Sequence, residues 1–163
     1  MYKKILAPLD GSKLSECSLE HVKVIAKGCQ VPEVVLLTVV EEYKEISPQL
    51  ETESTLQETI KHLEKEKKEA QMRATEYLNK VARSLKEEGI AAQSAVVMSG
   101  KINGVVDAIL DFVRDNKIDL IVMSTHGRSG ISRWAFGSVT DKIIRESKIP
   151  VLTLSPTGCR ASL

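Results

Sequence analysis

Short apolar runs bounded by turn-forming residues set the rhythm of this chain. They fall at 4–8 (KILAP), 34–40 (VVLLTVV), 118–123 (IDLIVM) and 150–154 (PVLTL). Continuous rather than alternating runs of Val, Ile and Leu suit strands covered on both faces, as in parallel sheets. A fifth run at 92–98 (AQSAVVM) is interrupted by Gln93 and Ser94 but still reads as a strand.

Between these runs the apolar spacing lengthens to that of helices. In 14–27 the residues Leu14, Cys17, Leu19, Val22, Ile25 and Ala26 recur at three to four positions, with Ser12 and Ser15 as candidate caps and Gly28 placed to end the helix. A much longer stretch, 56–88, carries Leu56, Ile60, Leu63, Ala70, Ala74, Tyr77, Val81 and Leu85 at the same spacing around a charged EKEKKE segment at 64–69. At ~1.5 Å per residue this helix reaches roughly 50 Å, longer than a compact sheet needs, so its first turns are expected to project or bend. Helices are also predicted at 103–116 and 138–147, the latter opening on a capping-box-like Ser138-Val139-Thr140-Asp141. The polar stretch 41–55, with Pro48, reads as a loop over the sheet and a candidate lid.

Strands alternating with helices imply right-handed crossovers and an α/β fold, a parallel sheet with helices on both faces. A length of 163 residues fits one domain, taken as 1–155, followed by a tail at 156–163. With 23 basic and 22 acidic side chains the net charge is +1, which gives no field to attract nucleic acid or an acidic membrane. No apolar stretch is long enough to span a bilayer, and no signal peptide opens the chain. The three cysteines, Cys17, Cys29 and Cys159, cannot all pair and form no metal-type spacing, which fits a reducing, cytoplasmic setting.

The chemistry concentrates in 118–154, which reads strand, glycine-rich loop, helix, strand. A loop leaving the C-terminal end of a parallel strand is where open α/β sheets bind ligands. Glycines there (Gly127, Gly130, Gly137) let backbone N–H groups approach an anion, and the first turn of the next helix leaves further N–H groups unpaired. Neither the GxxxxGK[ST] phosphate loop nor the GxGxxG dinucleotide fingerprint is present. Instead Ser124, Gly127 and Gly137-Ser138 are separated by two and then nine residues, in the text STHGRSGISRWAFGSV.

That spacing resembles the Gly-x2-Gly-x9-Gly-[Ser/Thr] signature of the ATP-binding universal stress proteins, with Ser124 standing where the strict signature has its first glycine. KKILAPLDGS, VVLLTVV and KIPVLTL are similar to that family's first, second and fifth strands, so the resemblance spans the chain. It implies a five-stranded parallel sheet of order 3-2-1-4-5, of the adenine nucleotide alpha hydrolase-like type. Further implications are ATP (or AMP or ADP) as ligand, Mg2+ or Mn2+ accompanying a triphosphate, and a homodimer through the 151–154 edge strand. The nucleotide-binding positions carried over are Pro8, Asp10, Val39, Met123, Ser124, Gly127, Gly130, Gly137, Ser138 and Val139. Val39 matches the position whose backbone meets the adenine edge, and Pro8 and Met123 those that pack on base or ribose. No catalytic residue and no metal ligand is assigned.

Each position has a plainer reading. Asp10-Gly11 is also a good turn dipeptide, loop glycines also serve turn dihedrals, and Pro8, Val39 and Met123 serve equally as core. Arg128 and Arg133 are candidate phosphate partners or solvated arginines. His126 lacks a partner nucleophile and carboxylate, His21 and His62 fall on helix patterns, and Trp134 and Phe136 fit as cover for apolar surface. Two functions follow: a nucleotide-responsive regulatory module with at most slow ATP hydrolysis, or a dimeric interaction protein of the same fold that binds no nucleotide.

Overall fold

The computed structural model describes residues 1–41, 53–100, 104–125 and 137–155, with residues 53–56 described by backbone only. Strands β1 (Lys4–Pro8), β2 (Glu33–Glu41), β3 (Ala92–Ser99), β4 (Leu120–Ser124) and β5 (Val151–Leu154) form one parallel sheet in the order β3-β2-β1-β4-β5. The expected strand order is thus the observed one. Helices α1 (Lys13–Glu16), α2 (Ser18–Gly28), α3 (Glu53–Glu87), α4 (Val105–Asp115) and α5 (Ser138–Glu146) fill the connections.

Side chains alternate across a strand, and the sheet divides the core accordingly. Ile5, Ala7, Val34, Leu36, Leu120 and Val122 face α2 and α3, where they meet Val22, Ala26, Leu78, Ala82 and Leu85. Leu6, Val35, Leu37, Ile121 and Met123 face α4 and α5, where they meet Val106, Ile109, Val113 and Ile143. Both faces of β1, β2 and β4 are therefore apolar, which is why their sequences run without alternation. Gln93 and Ser94 did not weaken β3, because β3 lies at the edge and its full length pairs with β2.

The first helix differs from its expected form. It divides at Cys17 into α1 and α2, since Ser15 Oγ donates to the Ser12 carbonyl (2.9 Å) and Ser18 Oγ to the Ser15 carbonyl (2.8 Å), competing with the helix ladder. Ser12 does cap it, accepting from Ser15 N–H at 3.1 Å. Past Gly28 the left-handed residue is Gln30 (φ 51°) rather than a glycine. Cys29 is a free, half-buried thiol.

At 35 residues α3 begins three residues earlier than predicted and extends about 52 Å. Among its described side chains, the buried ones lie in its C-terminal part, at Leu78, Ala82 and Leu85. Residues 57–76 hold no fully buried side chain, and Ile60 and Met72 are exposed, as expected of a helix that outruns its sheet. Its C-terminal end is tied to α2 by charge. Lys23 Nζ lies 2.6 Å from a Glu88 oxygen and 3.0 Å from Glu20, with Lys27 3.6 Å from Glu88. The hydrogen bond between them holds Lys23 above the ordinary lysine pKa and Glu88 below the ordinary carboxylate one. The lowered Glu88 value means its contribution is present above the usual carboxylate range and fades as pH falls through it. The raised Lys23 value means the alkaline loss comes only above the usual lysine range.

The same, N-terminal edge of the sheet is pinned by Asp119, whose two carboxylate oxygens accept from the N–H groups of Lys3 (2.7 Å) and Lys4 (3.0 Å), while its own N–H donates to the Lys4 carbonyl (3.1 Å). These bonds hold the start of β1 to the start of β4. Asp119→Ala is expected to cost about 1–2 kcal/mol and lower Tm by about 3–6 °C; an unchanged melting curve would show that the clamp is dispensable. Among the described residues no helix is long and apolar enough to cross a membrane.

Candidate functional site

The functional geometry begins with the way β1 and β4 part. Leu9 N–H donates to the Leu37 carbonyl (2.8 Å), so the odd-numbered residues of β1 turn their amides toward β2, and the even ones, such as Lys4, toward β4. Pro8 therefore stands where the next N–H toward β4 would be, and has none to give. Register between β1 and β4 covers only Ile5 with Leu120 and Leu6 with Ile121. Beyond it, Thr38 Oγ1 donates to the Leu9 carbonyl (2.9 Å), holding the exit of β1 to β2, while Thr125 N–H donates to the Leu154 carbonyl (2.8 Å), holding the exit of β4 to β5. The two chain exits are drawn in opposite directions, which opens the crevice expected at such a switch point.

One wall is the turn after β1. Asp10 Oδ1 accepts from Ser12 N–H (2.9 Å), and Asp10 N–H donates to Ser15 Oγ (3.3 Å). Gly11, at φ 80°, occupies the left-handed region that this Asp-Gly turn requires. Asp10 is half-buried, and α1 packs against β4 across the crevice. Behind this turn lies Tyr77 of α3, whose hydroxyl is buried without a hydrogen-bond partner. Burial first, then the neighbouring Glu16 carboxylate and the charge of Asp10, push the Tyr77 hydroxyl far above its ordinary pKa, so it stays neutral.

The other wall is the start of α5. Gly137 is its N-cap and supplies no side-chain cap; its N–H donates to the Thr125 carbonyl at 2.9 Å. A Cβ built on Gly137 would stand 3.2 Å from that same oxygen, so glycine is there for close approach of backbone to backbone. Thr140 Oγ1 donates to the Ser124 carbonyl (3.2 Å), and these two bonds staple the helix start to the end of β4. The first bond within the helix is Asp141 N–H to the Gly137 carbonyl (3.0 Å). Ser138 and Val139, one turn earlier, have no helix carbonyl for their N–H groups.

The capping box expected from Ser138 and Asp141 does not form. Ser138 is the first helical residue and is exposed, and the Asp141 carboxylate is taken by Arg145 at 3.0 Å. The consequence is an N-terminus whose amides are not satisfied by its own side chains.

Of the predicted site residues, Val39, Met123 and Val139 pack on the same core, that of the α4 and α5 face. Pro8 joins that face by alternation from Leu6 and is in register with Leu37. Met123 (5% exposed) and Ser124 (6%) are buried, so their side chains form the floor rather than the opening. Asp10, Gly137 and Ser138 lie at the same C-terminal edge of the sheet. Gly127 and Gly130 lie outside the described residues, as do His126, Arg128, Arg133, Trp134, Phe136, most of the 41–55 segment and the 156–163 tail. Two contributors escaped sequence reading, Thr38 and Thr140. Both are threonines beside a strand or helix end, where a hydroxyl can reach a neighbouring carbonyl, but nothing in their spacing says which one. Among the described residues no group of three or more His, Cys, Asp or Glu side chains is gathered to hold a metal.

The model of the universal stress protein family matches residues 1–155. The chain is 30% identical over 160 residues to universal stress protein MJ0577 of Methanocaldococcus jannaschii, covering 94% of this chain and 95% of that protein. It is 32% identical over 156 residues to MJ0531 of the same organism, covering 94% and 82%. The solved structure of MJ0577 superposes with a TM-score of 0.76 at 27% identity, covering 95% of this chain and 96% of that one. A universal stress protein in complex with cAMP superposes with a TM-score of 0.62 at 21% identity, covering 94% and 97%, a likeness of fold.

Proposed function

Because the chain belongs to the universal stress protein family, we propose that it binds an adenine nucleotide, ATP foremost, at the β1/β4 crevice and serves as a nucleotide-responsive regulatory module. The observation that carries this reading is the start of α5. It is stapled to β4, it has no side-chain cap, and the N–H groups of Ser138 and Val139 are left for an anion at the positive end of the helix. A glycine that brings backbone to within van der Waals contact of backbone at Gly137 suits a phosphate cradle.

In this reading Gly137, Ser138 and Val139, with Gly127 and Gly130, bind phosphate oxygens. Asp10, held in its turn by the Ser12 N–H and acceptor-only when ionised, meets ribose hydroxyls or the adenine amino group. Pro8, Val39 and Met123 give the base an apolar floor, and Ser124 shapes the end of β4. Magnesium or manganese accompanies the triphosphate, bound by the phosphates themselves, and no residue is assigned to it. No general base stands beside a waiting nucleophile among the described residues, so ATP is a ligand and at most slowly hydrolysed. The protein acts in the cytoplasm as a homodimer joined through β5, an edge strand whose Val151 and Leu152 are only half-buried.

Isothermal titration with ATP, AMP and cyclic AMP, each with and without magnesium, tests the proposal. ATP should bind more tightly than AMP, since only the triphosphate spans both groups of amides. Absence of heat with every nucleotide would overturn it and leave the interaction protein of the same fold. Light scattering at working concentration should give a dimer, and a monomer would remove the β5 interface.

A further inference from the structure

The far edge of the sheet has a second groove, unrelated to the crevice. It lies between α3 and β3, has a volume of about 300 Å³, and is lined by Asn79, Ala82, Arg83, Lys86, Ala92, Gln93 and Ser94. Asn79, Arg83 and Lys86 stand at i, i+4 and i+7, on one face of α3. No carboxylate is among these lining residues, and neither Arg83 nor Lys86 has an ion-pair partner among the described residues.

The backbone of β3 adds directional donors and acceptors. Val34 N–H donates to the Ala91 carbonyl, so the odd-numbered residues of β3 turn their polar groups toward β2. In a parallel ladder the alternate residues, Ala92, Ser94, Val96 and Met98, then present N–H and C=O outward. No described strand pairs with that edge. Among the described residues Ser94 is also the one strand residue whose buried side-chain hydroxyl has no hydrogen-bond partner.

We propose that the β3 edge and its basic rim form a docking site for an extended, acidic segment of a partner protein. The segment adds as a sixth strand. Its backbone bonds to Ser94 and its alternate neighbours, and its carboxylates meet Arg83 and Lys86. Charge decides against a second copy of this chain as occupant. A second β3 edge, Ala92–Ser99, carries no carboxylate to meet Arg83 and Lys86, whereas an acidic segment does.

The test uses the full chain and fluorescein-labelled hexapeptides of alternating valine and glutamate, with two controls: alternating valine and lysine, and the acidic peptide N-methylated on alternate backbone nitrogens. Anisotropy should rise with the acidic peptide alone. The double variant Arg83→Glu/Lys86→Glu, both residues being exposed, should weaken binding by about tenfold or more. Ser94→Pro, which removes an outward N–H where edge strands tolerate proline, should weaken it comparably. In amide spectra the acidic peptide should shift Ala92, Ser94, Val96 and Met98. Equal binding of the lysine or N-methylated peptide, or unchanged binding by the double variant, would overturn the proposal. So would a concentration-dependent dimer that the double variant abolishes, because the edge would then belong to a second copy.

Discussion

Gly137→Val should abolish most of the affinity for ATP while leaving the protein folded. The valine Cβ would stand 3.2 Å from the Thr125 carbonyl oxygen, a backbone atom with little room to retreat because it already accepts the Gly137 N–H at 2.9 Å. The helix start must shift to relieve this contact, and the branched side chain stands beside the first-turn amides. Losing one charge-assisted hydrogen bond to phosphate costs about 1.5–3 kcal/mol, hence roughly 10- to 100-fold in Kd. Stability should fall by only about 1 kcal/mol, because the backbone at Gly137 (φ −57°, ψ 150°) is open to any residue and glycine contributes no capping bond. Titration calorimetry beside a thermal melt separates the two effects. Gly137→Ala, needing a shift of a few tenths of an ångström, should fall between parent and valine. Wild-type affinity in the valine variant would mean that the phosphates do not sit at this helix.

Leu6→Ala should be the most damaging change to stability. Leu6 lies on β1, the central strand, is fully buried, and belongs to the core beneath α4 and α5. Removing its branched end leaves a cavity between rigid strands that cannot collapse, at a cost of about 2–5 kcal/mol and roughly 10 °C in Tm. Met72→Ala, on the exposed part of α3 (61% exposed), should change stability by less than about 0.5 kcal/mol. Equal losses from the two would contradict the division of α3 into a packed C-terminal part and an overhang.

Those two positions also mark where reading the chain succeeds and where it stops. The apolar runs around Leu6, Val35 and Val122 are legible because burial on both faces leaves no place for a polar residue, and that alone points to a parallel sheet. The length of α3 is equally legible, but the pattern around Leu56, Ile60 and Leu63 is as apolar as that around Tyr77 and Leu85. Periodicity gives the face a helix will bury, not whether a sheet lies beneath it. Leu78 and Ala82, buried on α3, were outside the three-four series because the stripe is wider than one column of residues.

The crevice divides in the same way. Gly137-Ser138 stands out by its spacing, Pro8 and Asp10 are carried over by the resemblance, and the structure sets all of them along one edge of the sheet. Their partners were not found, and one local rule misled: Ser138 and Asp141 fit a capping box, yet Gly137 caps the helix and Asp141 turns to Arg145. A cap is a local choice between near-equal hydrogen bonds of about 1 kcal/mol, and a contact from a distant strand is enough to reverse it.

By itself, then, the sequence determined the element types, the parallel sheet and the family to which the chain belongs, because burial and turn chemistry act between residues close in the chain. Tertiary structure alone decided that β1 and β4 part after Leu6 and Ile121, that Thr125 and Thr140 staple α5 to β4, and that β3 keeps an outward edge beside Arg83 and Lys86. Each of these depends on hydrogen bonds between residues far apart in the chain, and short-range pattern carries no record of which distant carbonyl an amide or hydroxyl will meet.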